Sequence, residues 1–224
     1  MARNCLLYYI TDRIAFAADE SIRRRRLLEK IEEATRAGLD YIQLREKDLP
    51  TRELESLARE AVGLIKKLRT ENAELKTAFL INSRSDIALA TSADGVHLRS
   101  DDLTPREVRW VWTKCGAGAP ARELPPQTPL IGVSCHSPAE VAQAKANGAN
   151  FAVFAPVFEK KSVQPAGLEL LHEACQQQIP VLALGGVTLE NAQSCLGAGA
   201  AGIAAIRLFQ ENNINGIVRM MREE

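Results

Sequence analysis

The chain contains no Cys-x-x-Cys pair and no cysteine–histidine spacing of the kind that holds zinc. Its five cysteines (Cys5, Cys115, Cys135, Cys175 and Cys195) are scattered and odd in number. That argues against a disulfide framework and reads as reduced thiols in a cytoplasmic protein. Neither sign of charge is in excess, because 28 Lys and Arg balance 28 Asp and Glu. No overall field therefore draws the chain to nucleic acid or to a membrane surface. No apolar run approaches the roughly 18 residues that cross a bilayer. The short run Leu6–Ile10 meets Thr11-Asp-Arg13 at once, unlike the apolar core of a secretion signal. Long linkers, tandem repeats and low-complexity blocks are also missing; residues 115–127 read as one irregular loop. The basic run Arg23–Arg26 opens a helical segment with Glu29, Glu32 and Glu33 close behind, so it reads as a solvated helix face.

What the chain does have is alternation. Short apolar runs predict strands at 5–11, 41–44, 78–82, 95–98, 130–134, 151–157, 181–185 and 202–206. Helical periodicity lies between them, at 21–37, 51–70, 85–90, 104–112, 138–147, 167–178, 189–198 and 216–222. Thr104, Ser137 and Thr188 stand at helix starts, and Gly38, Gly148 and Gly199 at helix ends. Runs such as Phe151-Ala-Val-Phe-Ala155 are apolar throughout, as strands buried on both faces should be. Eight strand–helix units of even length predict one domain over 1–224, an α/β fold of the (β/α)8 TIM-barrel type. An open doubly wound sheet is the alternative.

In such a barrel the chemistry sits at the carboxyl ends of the strands. There the sequence places Thr11-Asp-Arg13, Gln43-Leu-Arg-Glu-Lys47, Asn82-Ser-Arg84, His97-Leu-Arg-Ser-Asp-Asp102, Ser134-Cys-His136 and Glu159-Lys-Lys161. Extended backbone puts Gln43, Arg45 and Lys47 on one face, where two cations and an amide suit a small polyanion attached to a polar ring. The plainer alternative is a strand end whose charges reach water. Gly185-Gly186 before a helix start is the pattern in which backbone N–H groups approach a phosphate. Asp102 is the expected ligand for a hard cation such as Mg²⁺, with Asp101 expected to cap the next helix. His136 is a candidate general acid or base, or equally a hydrogen-bonding partner of its own helix start. His97, flanked by apolar residues, is expected in the core or behind the site, and His172 on the surface.

These pieces together resemble the thiamine phosphate synthase/thiazole tautomerase family. The resemblance rests on Ile10-Thr-Asp-Arg13, Gln43-Leu-Arg-Glu-Lys47, Ile81-Asn-Ser-Arg84, Asp94-Gly-Val-His-Leu98, Ile131-Gly-Val-Ser-Cys-His136 and Leu184-Gly-Gly-Val187, in order, over nearly the whole chain. It implies an enzyme that joins a pyrimidine diphosphate to a thiazole phosphate and releases pyrophosphate with the help of Mg²⁺. By the same resemblance Gln43, Arg45 and Lys47 would hold the diphosphate with Asn82 beside them. Ser134 would contact the pyrimidine or its diphosphate, and Asp102 the Mg²⁺. Gly186 and the strand-eight end, Ile206 and Arg207, would meet the thiazole phosphate.

Three positions depart from the synthase pattern. Ser83 stands where a second aspartate ligand to Mg²⁺ is usual, Lys160 or Lys161 must replace a lysine in an altered strand-six loop, and Arg207 replaces a serine. These departures keep two alternatives open. One is a thiazole tautomerase with His136 as proton shuttle; the other is a non-catalytic barrel that binds phosphorylated ligands. The expected partners are two phosphorylated small molecules, with no nucleic acid and no membrane; a homo-oligomer is compatible with the sequence.

Overall fold

The computed structural model describes residues 5–16, 19–116, 128–158 and 164–222. Eight parallel strands pair in chain order, and the eighth closes on the first. They are β1 (Leu6–Ile10), β2 (Tyr41–Leu44), β3 (Ala78–Asn82), β4 (Gly95–Leu98), β5 (Leu130–Cys135), β6 (Phe151–Phe154), β7 (Val181–Ala183) and β8 (Gly202–Ala205). Around them lie α1 (Glu20–Arg36), α2 (Thr51–Glu71), α3 (Ser85–Thr91), α4 (Pro105–Gly116), α5 (Pro138–Ala146), α6 (Gly167–Cys175), α7 (Leu189–Gly197), α8 (Arg207–Gln210) and α9 (Ile214–Arg222). This is the (β/α)8 barrel, and the open sheet is ruled out by the β1–β8 pairing. No helix among the described residues is long and apolar enough to cross a membrane.

The helix starts follow local chemistry. Asp19 accepts from the N–H of Ile22 at 3.0 Å, and Ser137 from that of Glu140 at 3.2 Å with Pro138 in the first turn. At α4 the cap is Thr104, which exchanges bonds with Glu107. Asp101, expected to cap this helix, pairs with Arg99 instead, because the cap position, Thr104, lies three residues further on. Strands β6 and β7 end earlier than the apolar runs suggested, at Phe154 and Ala183, where the chain turns through Ala155-Pro156 and Leu184-Gly-Gly186. A 3-10 turn at Arg13–Ala15 and the short α8 have no counterpart in the sequence pattern.

Alternation along the strands divides the apolar side chains between two regions. One set, including Leu7, Ile42, Phe79, Val96 and Ile131, packs outward against the helices. The other fills the barrel: Tyr8, Ile10, Leu80, Phe151, Val153, Leu182 and Ala204, with Tyr41 against them. The even strands begin with Tyr41, Gly95, Phe151 and Gly202. Two rings and two glycines thus share the interior: Tyr41 and Phe151 stack at 4.8 Å and 2°, and Tyr8 meets each ring edge-on. Gly132 on β5 makes this possible, because a Cβ there would lie 2.4 Å from the Phe151 ring and 3.0 Å from the His97 ring.

At the opposite, amino ends of the strands one device recurs. The residue before β2, Asp40, accepts the N–H of Leu7 and is gripped by Arg222. Before β4, Asp94 accepts from Phe79 and pairs with Arg69. Before β6, Asn150 accepts from Ile131 and from Arg109. The position before β8 is Ala201, whose N–H bonds to Val181 as those of Asp40, Asp94 and Asn150 bond to Leu7, Phe79 and Ile131. Alanine offers no acceptor, and an apolar cavity of about 480 Å³ opens there, lined by Cys5, Leu6, Pro180, Leu196, Ala200 and Ala201.

Candidate active site at the carboxyl ends of the strands

Gln43 is the penultimate residue of β2 and points into the barrel mouth. Its amide Nε2 donates to Asn82 Oδ1 at 2.8 Å, at the end of the neighbouring β3. Its Oε1 is buried and meets no donor. Asn82 in turn donates to the hydroxyl of Ser83 at 3.2 Å. Ser83 sits in the left-handed region, φ 59°. Beyond Leu44 the strand has ended, yet the alternation persists for two residues. Arg45 is half-buried, and its guanidinium has no hydrogen bond or ion pair among the described residues. Its charge nevertheless acts on His97, which places it at the same mouth. Lys47, two residues on, is exposed in the turn that follows.

Glu46, between them, turns the other way and is buried. It accepts from the Thr11 hydroxyl at 2.5 Å and from the backbone and guanidinium of Arg13. Arg13, itself buried, also binds Asp48 through both terminal nitrogens and Glu20 through Nε. Burial pushes the Glu46 carboxyl above its usual range, while Thr11 and Arg13 pull it back. This network fixes the exit of β2 against that of β1 and so aims Arg45 at the mouth. The sequence signal for it was Thr11-Asp-Arg13, read above as part of the rim; its role is support.

His97 pairs with Asn82 across β3 and β4. It is buried, Nδ1 lying 3.1 Å from the Tyr8 hydroxyl and Nε2 2.8 Å from Ser134 Oγ. Burial first, and the Arg45 charge second, push its pKa down to about 4, against the pull of Asp102. The expectation of a residue behind the site is met. His136 is exposed just beyond β5, and its Nδ1 lies 2.7 Å from the carbonyl of Ala155. A carbonyl only accepts, so Nδ1 carries a proton, and in the neutral ring Nε2 is then the nitrogen with the lone pair.

Asp102 closes a turn by accepting the N–H of Arg99 at 2.7 Å, and its other oxygen lies 3.5 Å from Arg99 Nε. Among the described residues no three His, Cys, Asp or Glu side chains form a metal cage. One carboxylate and one hydroxyl are hard oxygen donors of the kind that complement the oxygens of a bound diphosphate around Mg²⁺. Asp102 and Ser83 are the donors present.

After β7, Gly185 and Gly186 adopt φ 96° and 66°. A Cβ on Gly185 would lie 2.8 Å from Pro156. The N–H groups of Gly185, Gly186 and Val187 have no hydrogen-bond partner among the described residues, while Asn191 holds the Gly186 carbonyl at 2.9 Å and caps Thr188 N–H at 2.8 Å. Three unpaired donors before α7 suit a phosphate. Arg207 is exposed at the start of α8, beyond β8. Ile206, partly buried, packs its side chain against the barrel interior. Lys160 and Lys161 lie outside the described residues.

Comparison with known proteins gives the family of the whole chain. The family model for thiamine monophosphate synthase matches residues 7–209. The thiamine-phosphate synthase of Syntrophomonas wolfei is 36% identical over 223 residues, covering 97% of this chain and 94% of that protein. That of Clostridium novyi is 34% identical over 215 residues, covering 94% and 93%. Among solved structures, a thiamine phosphate pyrophosphorylase from Pyrococcus furiosus superposes with a TM-score of 0.74 at 28% identity, over 99% of this chain and 95% of that one.

Proposed function

The chain belongs to the thiamine monophosphate synthase family, and we propose that the barrel mouth described above is where it joins a pyrimidine diphosphate to a thiazole phosphate with release of pyrophosphate. It is a transferase, a thiamine-phosphate synthase. The observation that carries the site assignment is Arg45, a half-buried guanidinium without an anionic partner among the described residues, beside the Gln43–Asn82 pair.

In this reading Arg45 and Lys47 grip the diphosphate and stabilise the negative charge that grows on it as the carbon–oxygen bond to the pyrimidinylmethyl group breaks. The cation left behind is captured by the thiazole nitrogen, forming the new carbon–nitrogen bond. Gln43 keeps a buried acceptor, Oε1, that meets no donor among the described residues; a phosphate would repel it, whereas the amino group of the pyrimidine, reaching it as the ligand seats, would satisfy it. Gln43 therefore holds the ring, and the diphosphate is left to the two cations. Asn82 orients Gln43, and Ser134 meets the pyrimidine substrate. The N–H groups of Gly185, Gly186 and Val187, with Arg207 and the backbone of Ile206, take the thiazole phosphate. Asp102 and Ser83 would hold Mg²⁺, which when bound supplies a Lewis acid for the departing diphosphate. Lys161 is assigned to the diphosphate on the family pattern alone. The five free cysteines support a cytoplasmic setting.

A second reading rests on His136. With Nδ1 committed to Ala155, its Nε2 is poised as a base, which suits isomerisation of a thiazole phosphate by proton transfer. A pyrophosphate-release assay with both phosphorylated substrates, with and without Mg²⁺, separates the two. Coupling with release supports the synthase. Thiazole isomerisation without pyrophosphate would replace it with the tautomerase.

A further inference from the structure

Tyr8, His97 and Ser134 come from β1, β4 and β5 and form one unbranched chain of hydrogen bonds from the aromatic floor of the barrel to its mouth. Its direction follows from counting donors. The Tyr8 hydroxyl is fully buried, and His97 Nδ1 is its sole hydrogen-bond partner among the described residues. If Nδ1 carried the imidazole proton, the phenol would accept it and its own O–H would be left without an acceptor. A buried unsatisfied donor costs about 1–3 kcal/mol. With the opposite polarity every group is satisfied: Tyr8 O–H donates to Nδ1, Nε2–H donates to Ser134 Oγ, and the serine proton is turned outward. Burial supports this polarity, since it holds the phenol protonated and the ring neutral.

We infer that Tyr8 and His97 are positioning residues that lock the Ser134 hydroxyl as a donor facing the barrel mouth, where it hydrogen-bonds an acceptor atom of the pyrimidine diphosphate. This deepens the synthase reading and rests on it for the identity of the ligand; the polarity of the chain does not. A serine free to rotate could accept or donate equally. One whose oxygen already receives a bond from Nε2–H offers the ligand a directed proton. Gly132 keeps the ring in place, since any side chain there would press on His97 and Phe151.

The test has two arms on the full-length protein. Nitrogen-15 NMR of its three histidines, with His97 assigned by loss of its signals in His97→Gln, reads the tautomer without substrate. A protonated Nε2 and bare Nδ1 are expected; a protonated Nδ1 would overturn the inference even if the enzyme turns over normally. In the second arm, Tyr8→Phe and Ser134→Ala are each expected to raise KM for the pyrimidine diphosphate about 5- to 10-fold, in line with one lost hydrogen bond. The double variant should be no worse than Ser134→Ala alone. Additive losses would mean that Tyr8 acts through packing and not through the serine, which overturns the positioning role. If no coupling is detected in the wild type, the synthase reading fails, while the NMR arm still decides the polarity.

Discussion

Gln43 and Asn82 are joined side chain to side chain at 2.8 Å, across the ends of β2 and β3, and the free oxygen of Gln43 is sealed from water. A buried acceptor without a donor is costly to maintain. Its place beside Arg45 gives that cost a use. Gln43→Met, which keeps the volume and removes both amide groups, should raise KM for the pyrimidine diphosphate about tenfold. KM for the thiazole phosphate should not change, and equal effects on both substrates would count against a ring contact.

Arg45→Ala should lower turnover by about 10²- to 10³-fold, the scale seen when one preorganised donor to a developing anion is removed. Circular dichroism should be unchanged, since the guanidinium makes no internal ion pair among the described residues. Steady-state pyrophosphate release would report it. A loss under fivefold would remove Arg45 from the mechanism.

The His97 ring stays neutral when folded, with a pKa near 4, but returns to about 6.5 when unfolded. At low pH the unfolded chain therefore binds a proton that the folded one refuses. The stability His97 contributes is complete above pH 6.5 and is lost as pH falls from there toward 4, by about 3 kcal/mol in all. Urea melts across that range should show the slope, and His97→Gln should flatten it. A decline identical in both proteins would assign the slope to other groups.

Gly185→Ala places a Cβ against Pro156 at a φ of 96°. Strain of about 1–3 kcal/mol should move the cradle after β7. The expected signature is a raised KM for the thiazole phosphate with KM for the pyrimidine diphosphate held, measured by varying each substrate in turn.

Glu46→Ala removes the acceptor for Thr11 and for two donors of Arg13. Arg13 keeps Asp48 and Glu20, so the loss should fall near the lower end for a broken buried pair, about 3 kcal/mol. Thermal denaturation would measure it. Restoration by Glu46→Gln should be only partial, because the amide offers one acceptor oxygen where the carboxylate offers two.

The strands were legible because parallel strands covered on both faces must be apolar, and Tyr41–Leu44, Ala78–Asn82 and Gly95–Leu98 are bounded by residues that leave the sheet. Their ends were less so at Val181–Ala183, where the apolar run outlasts the pairing. Gln43, Asn82, Ser134 and Asp102 could be found as polar residues at strand exits. Tyr8 could not: in an apolar run it looks like filling, and its partner lies 89 residues away. Glu46 was visible as the residue facing away from Arg45, but only the fold shows that Arg13 receives it.

The three acid-or-amide clamps beneath the barrel, and the alanine where a fourth would stand, make the wall unequal around its circumference. Among the described residues the seam from Val181 through Ala201 to Leu6 is stitched by backbone hydrogen bonds, with no acid or amide side chain fastened to it. Deuterium should enter there sooner than at Leu7, Phe79 or Ile131, whose amides are each fastened to a side chain. A cylinder with one unriveted stave can loosen underneath while its rim keeps shape, leaving catalysis insulated from whatever happens at the base.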